Sequence, residues 1–183
     1  MPKHSLHDLT VIGVPLDLGA ENLGVDMGPE MFRRQELVTK LSDLGFSVED
    51  VGNVAVSERA TLKPGNPRLR YMDEIIRVNE EVAKLSEAAL QSGRRVVVLG
   101  GDHSVNLGAV SGASVAVDGQ LGLLYLDAHG DMNTDKTTLT GNIHGMHLAS
   151  LMGFGAKPLT EVHGPGPKID TQNLLHVGGS DFD

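Results

Sequence analysis

Short apolar runs alternate along this chain with longer stretches of helical periodicity, and that alternation predicts an α/β protein. Leu9 to Val14 is a β-branched apolar run closed by Pro15, the signature of a buried strand. A loop punctuated by Gly19, Gly24 and Gly28 follows, and Pro29 suits the first turn of a helix running to about Leu44, with Gly45 as its stop. Phe46 to Val51 reads as a second strand, and residues 52–67, with Gly52, Pro64, Gly65 and Pro67, as a long exposed loop. From Leu69 to Gln91, Ile75, Ile76, Val82, Leu85 and Leu90 are among the apolar positions of a helix, and Glu80, Glu81, Lys84 and Glu87 form its solvated side. Arg95 to Leu99 carries an unbroken apolar run, expected of a central parallel strand covered on both faces. Ser104 to Val117 predicts a small-residue helix, Leu121 to Leu126 another buried strand, and Leu174 to Val177 a weaker one. Strand and helix in turn imply one mainly parallel sheet joined by right-handed crossovers. No internal repeat interrupts residues 1–183, which form a single domain in this reading.

The polar clusters fall where such a fold binds ligands. His103 follows one predicted strand, Asp127 another, and Asp181 and Asp183 a third, all on the carboxyl edge of the sheet. In Asp127-Ala128-His129-Gly130-Asp131 the side chains at i, i+2 and i+4 project from the same side of an extended backbone and are expected to converge on one point. The natural occupant is a hard or borderline cation, or a pair of them. Carboxylate and imidazole donors without sulfur suit Mn, Mg, Fe or Zn, and a carboxylate-rich set leans towards Mn or Mg. A carboxylate can bridge two ions through its two oxygens, and paired ions about 3.5–4 Å apart turn water into a nucleophile. Asp102 reads as a turn residue or a hydrogen-bonding partner behind the ligands. His4, His7, His147, His163 and His176 lack this context and read as surface or core histidines.

Composition narrows the partners. Hydrophobic content of 40% and charged content of 21% are ordinary for a globular domain, and aromatics at 3% make the core aliphatic. A formal charge of -9 argues against nucleic acid and against an anionic membrane surface. Without cysteine there is no disulfide framework, thiolate ligand or thiol nucleophile. No apolar run approaches membrane-spanning length and no signal core opens the chain, so a cytoplasmic location is the expectation.

The motifs Gly100-Gly101-Asp102-His103-Ser104, Asp127 to Thr134 (Asp-Ala-His-Gly-Asp-Met-Asn-Thr) and Thr140-Gly141-Asn142-Ile143-His144-Gly145-Met146 resemble the arginase branch of the ureohydrolase family. Gly24-Val25-Asp26-Met27-Gly28-Pro29 is similar to an arginase segment as well, and the resemblance spans essentially the whole chain in order. It implies a three-layer αβα fold (arginase/deacetylase-like) lacking its C-terminal strands, because family members run longer than 183 residues. It further implies two Mn2+ ions, with hydrolysis of L-arginine to L-ornithine and urea by a metal-bridging hydroxide. On that resemblance His103, Asp127, His129 and Asp131 are metal ligands, with Asp127 bridging. Asp131 is counted with His144, the proton shuttle to the leaving amine, among the catalytic residues. Asn133, Thr138 and Thr140, with Asn142 beside them, fall where the family binds the substrate α-carboxylate. Thr140 stands where a Ser is usual, keeping the hydroxyl and adding a methyl. Asp183 aligns with the contact to the substrate α-amino group, whereas the later Asp-x-Asp metal ligands of the family lie beyond it. The resemblance also implies a homo-oligomer, trimer or hexamer.

That chemistry is coherent: guanidinium, with a pKa above about 12, is a poor electrophile for free water. Metal activation of water and a histidine acid for the leaving amine answer the two difficulties. Two other readings stand beside it, an agmatinase or another ureohydrolase, and an inactive arginase-like fragment acting by association or weak metal binding. Asn133, the hydroxyls at 138 and 140, and Asp183 favour an amino-acid substrate over a decarboxylated one.

Overall fold

A computed structural model describes residues 7–118 and 120–181, with the backbone alone for Asp181. Its strands are β1 (Asp8–Val14), β2 (Ser47–Asn53), β3 (Arg95–Gly100), β4 (Leu123–His129) and β5 (Leu174–Asp181). The helices are α1 (Gly28–Arg34), α2 (Leu37–Asp43), α3 (Met72–Gln91), α4 (Asn106–Ala116), α5 (His147–Leu151) and α6 (Lys157–Thr160). Every strand pairing is parallel, as the alternating pattern implies.

β1 is buried from Leu9 to Val14 because both its faces are covered. Ile12 and Val14 belong to the main core with Ile75, Val78 and Val82 of α3 and Leu107 of α4. On the opposite face a Cβ at Gly13 would run into Asn53 and the guanidinium of Arg33 from α1. Helices thus cover both sides of the strand, the local form of a three-layer α/β architecture. α3 buries Ile75, Val78, Asn79, Val82, Ala83, Ser86 and Ala89, a stripe at helical spacing. It packs closely on α4 because Gly108 and Gly112 face its backbone, where any Cβ would collide with the carbonyl oxygens of Asn79 and Ala83. The Asn79 side chain closes the contact, accepting from Gly108 N at 2.6 Å and donating to Ile75 O at 2.9 Å.

Five expectations are corrected. The helix predicted from Pro29 to Leu44 is two helices, broken where Glu36 takes a left-handed φ of 60°. No Gly or Pro marks that break, and just before it Arg33 is held to Asp50 of β2 by paired bonds of 2.7 Å, a contact that periodicity does not encode. Among the described residues β3 is an edge strand, because the sheet order is β2-β1-β3 and β1 is central. β4 and β5 form a second sheet, and Val96 and Val98 of β3 line an apolar cavity of about 310 Å³ together with Leu121 and Leu123. β4 is buried on one side only: Leu124 and Leu126 are 59% and 70% exposed, beside Leu175 and Val177 at 62% and 49%. Finally, Asp127 and His129 lie inside β4 rather than past it.

The start of α3 also secures the loop before it. Glu74 accepts from Arg77 Nε at 2.8 Å and from Ser57 N at 2.8 Å, and the Arg77 guanidinium reaches Ala55 O. The Arg77 hydrogen bonds lower the Glu74 carboxyl to about 2 from its ordinary 4.5, against the opposing effect of burial. A folded-state pKa below the unfolded one contributes stability that is complete above pH 4.5 and lost as pH falls towards 2. Acid titration followed by circular dichroism should therefore show Glu74→Gln losing less stability than the parent over that window. Parallel acid curves would exclude the pair as a contributor.

Candidate metal centre

The site is assembled from the end of β3, the length of β4 and the segment leading to α5. After β3, Gly101 passes so close to the first loop that a Cβ would overlap Leu16 O, and Asp102 then caps the turn. Its Oδ1 accepts from Ser104 N at 2.8 Å and its Oδ2 from Gly19 N at 2.8 Å, the turn role expected for it. His103 emerges from this turn towards β4.

Along β4 the two-residue period places Tyr125 and Asp127 on one side. A bulge between Asp127 and His129 then shifts the register, and Gly178 of β5, at φ 119°, admits it where a Cβ would meet Asp127 O. The strict i, i+2, i+4 convergence is therefore corrected. Asp131, at a left-handed φ of 48°, turns back to the Asp127 and His103 side, whereas His129 remains 60% exposed.

Two points of approach result, not one. His103 Nδ1 lies 2.9 Å from Asp131 Oδ2 and 3.1 Å from Asp127 Oδ2. On the other side of the same carboxylate, Asp127 Oδ1 accepts from His129 N at 2.9 Å and faces His129 Nδ1 at 3.3 Å. Burial opposes charge on Asp131, but hydrogen bonds with His103 and Tyr125 outweigh it and hold the carboxyl at about 2. Asp127 is similarly held below its ordinary range, burial being overcome chiefly by the His129 N–H and by His103. Two ionised carboxylates and imidazole nitrogens converging within hydrogen-bonding distance, without sulfur, fit a hard or borderline divalent cation.

Two residues outside the expected set join this cluster. Tyr125, buried and two positions before Asp127, donates to Asp131 Oδ2 at 2.7 Å. The strand-period argument applied to Asp127 identifies it equally well. His147, read from sequence as a surface or core residue, is fully buried and packs its ring 4.4 Å from that of His103. His103, Asp131 and His147 are spaced as a metal-binding trio. Hydrogen bonding nevertheless makes His147 a wall of the site. Burial and the neighbouring His103 lower it to about 4, so it is neutral at working pH. Its Nδ1 lies 2.6 Å from the His144 carbonyl oxygen, which can only accept, so Nδ1 carries the proton, and the lone pair left on Nε2 is turned to Asn106 Nδ2 at 3.4 Å.

A cleft of about 720 Å³ opens over the cluster, lined by His103, Asp127, His129, Asp131, Asn133, Thr138, Thr140, Asn142 and His144 among others. All of the sequence-selected residues that fall in the described region therefore share one cleft; Asp183 lies outside that region. Its 137–142 wall is fixed from behind by Arg68, whose Nη1 donates to the carbonyls of Asp135 at 3.0 Å and Lys136 at 3.1 Å. Thr138 Oγ1 accepts from Gly141 N at 3.0 Å, and Thr140 Oγ1 from Asn142 N at 3.2 Å. His144 N donates to Gly19 O at 3.1 Å.

Comparison with known proteins identifies the family. The model of the arginase family matches residues 7–183. The chain is 40% identical over 176 residues to an arginase of Brevibacillus brevis, covering 96% of this chain and 58% of that protein. To an arginase of Bacillus subtilis strain 168 it is 38% identical over 175 residues, again with 96% and 58% coverage. The native structure of Bacillus caldovelox arginase at pH 5.6 superposes with a TM-score of 0.92 at 38% identity, over 97% of this chain and 60% of that one. An Entamoeba histolytica arginase in complex with L-ornithine gives 0.86 at 28% identity, over 97% and 60%. The chain thus spans 58% of the length of the curated relatives it matches. With one family model covering the chain from residue 7 onward, and its fold matching that of solved arginases, the chain belongs to the arginase family.

Proposed function

We propose that this chain carries the first part of a two-manganese site for hydrolysis of L-arginine to L-ornithine and urea. The observation that carries the reading is the orientation of Asp127, whose Oδ2 faces His103 and whose Oδ1 faces His129. A carboxylate open to two neighbours on its two oxygens suits a bridging ligand. His103 and Asp131 would hold one ion, His129 the other, and Asp127 both. When bound, the ions supply an activated water near neutral pH.

The remaining roles follow from placement in the cleft. Asn133, Thr138, Thr140 and Asn142 would bind the substrate α-carboxylate, since both threonines use their oxygens as acceptors and keep a hydroxyl proton to donate. The methyl of Thr140 narrows that end slightly. His144, anchored through its backbone to Gly19 O, would pass a proton to the departing amine. Asp127 and Asp131, both held ionised, would complement the cationic guanidinium.

The test is urea and ornithine release from L-arginine by the 183-residue chain with added Mn2+, with agmatine run beside it. Arginine cleavage exceeding agmatine cleavage supports the proposal, and the reverse preference overturns it in favour of an agmatinase. A specific observation favours the associative reading as well: Leu124, Leu126, Leu175 and Val177 leave an apolar face open on the β4–β5 sheet. Absence of urea, together with concentration-dependent association in sedimentation, would replace the enzyme by that reading.

A further inference from the structure

We infer that Tyr125 is a positioning residue for the metal ligands, its phenol acting as the hydrogen-bond donor that holds Asp131 against His103. The inference rests on the proposed metal site and adds a residue to it. Its hydroxyl oxygen lies 2.7 Å from Asp131 Oδ2, 3.3 Å from Asp127 Oδ2 and 3.3 Å from His103 Nδ1. One phenol can donate one proton, and the shortest of the three contacts assigns it to Asp131. That is where a restraint is needed. Asp131 stands past the bulge on a left-handed residue, so the strand no longer fixes its direction, and its Oδ2 converges with that of Asp127 on one imidazole nitrogen, His103 Nδ1, at 2.9 Å and 3.1 Å.

The ring is itself held. Tyr125 is buried, with ring centroids 5.4 Å from His103, 5.8 Å from His147 and 5.1 Å from His176. A donor this confined determines which Asp131 oxygen faces the cation and leaves the other to solvent or substrate. Groups that orient metal ligands by such bonds change affinity by about 10- to 100-fold when removed.

The experiment is Mn2+ titration by calorimetry, with the electron-spin-resonance spectrum of the bound ion, on the parent chain and on Tyr125→Phe. The expected result is an affinity lower by about 10- to 100-fold and a changed spectrum. Thermal unfolding of the metal-free proteins, followed by circular dichroism, verifies that the phenylalanine variant is folded. A second variant, Asp131→Asn, should lose most of the affinity, and adding Tyr125→Phe to it should then lower affinity little further, since the partner is already gone. Equal affinity of the parent and a folded Tyr125→Phe overturns the inference while leaving the metal site standing. Failure of the parent itself to bind Mn2+ overturns the metal site instead. Loading with Fe3+ separates a donor from a ligand: a visible phenolate charge-transfer band, lost in Tyr125→Phe, would make Tyr125 a ligand and refute the donor role.

Discussion

Exchange of Asp127 for asparagine is expected to lower Mn2+ affinity by about 100-fold or more, beyond the range typical of supporting hydrogen bonds, and to do so at both positions of the pair. The amide is nearly isosteric, so the β4–β5 pairing should survive, but it carries no charge and only one oxygen. If that oxygen keeps its bond from His129 N, now 2.9 Å, the NH2 group points at His103 and Asp131. If it rotates, the NH2 group meets the His129 N–H instead. Either way one ion faces a donor where it needs an acceptor. Exchange of His129 for asparagine differs, because His129 contacts Asp127 from the exposed side and takes no part in the His103–Asp131 contact. Calorimetric stoichiometry should fall towards one ion for that variant and affinity should collapse for the Asp127 variant. Equal, mild losses for both would overturn the bridging assignment.

The contrast between those two residues indicates what the sequence conveys and what it does not. Local order is legible: the apolar run at 9–14, the stripe of α3 and the strand around 123–129 follow from periodicity, and the motifs gather in one cleft because strands end on one edge. The departures arise from contacts distant in sequence. The break at Glu36 has no Gly or Pro to mark it and follows Arg33, which reaches Asp50 of β2, and the outward turn of His129 comes at a bulge admitted by Gly178 of another strand. β3 reads as central from its apolar run, yet its second edge is unpaired among the described residues, because composition reports burial and not neighbours. His147 escapes for a related reason. Nothing in its immediate sequence distinguishes it from a core histidine, and only the fold brings its ring against His103.

Replacement of Asp102 by alanine should destabilise the protein by about 2–3 kcal/mol and should also disturb the cleft. Ser104 is fully buried and Asp102 nearly so, and the aspartate satisfies Gly19 N, Ser104 N and the Ser104 hydroxyl. Alanine leaves those donors in place with no acceptor, and the loop is too tightly packed for water to enter easily: a Cβ at Gly19 would already clash with Asp102 and Ser104. Burial pushes the Asp102 carboxyl above its ordinary range, so removing it recovers part of the desolvation cost. The orphaned donors outweigh that gain, because their loss is counted several times and the carboxylate's only once. The effect then passes through one residue to the site. Gly19 N is held by Asp102 while Gly19 O accepts from His144 N at 3.1 Å, so releasing the loop releases the backbone that carries the proposed proton donor. Urea denaturation should show a lower midpoint at unchanged slope. At denaturant concentrations where the variant is still folded, arginine turnover should fall further than Mn2+ affinity, since His103 leaves the turn that Asp102 caps but keeps its contacts with Asp127 and Asp131. A variant with parental stability, or one that loses Mn2+ before it loses turnover, would break the proposed link from Asp102 through Gly19 to His144.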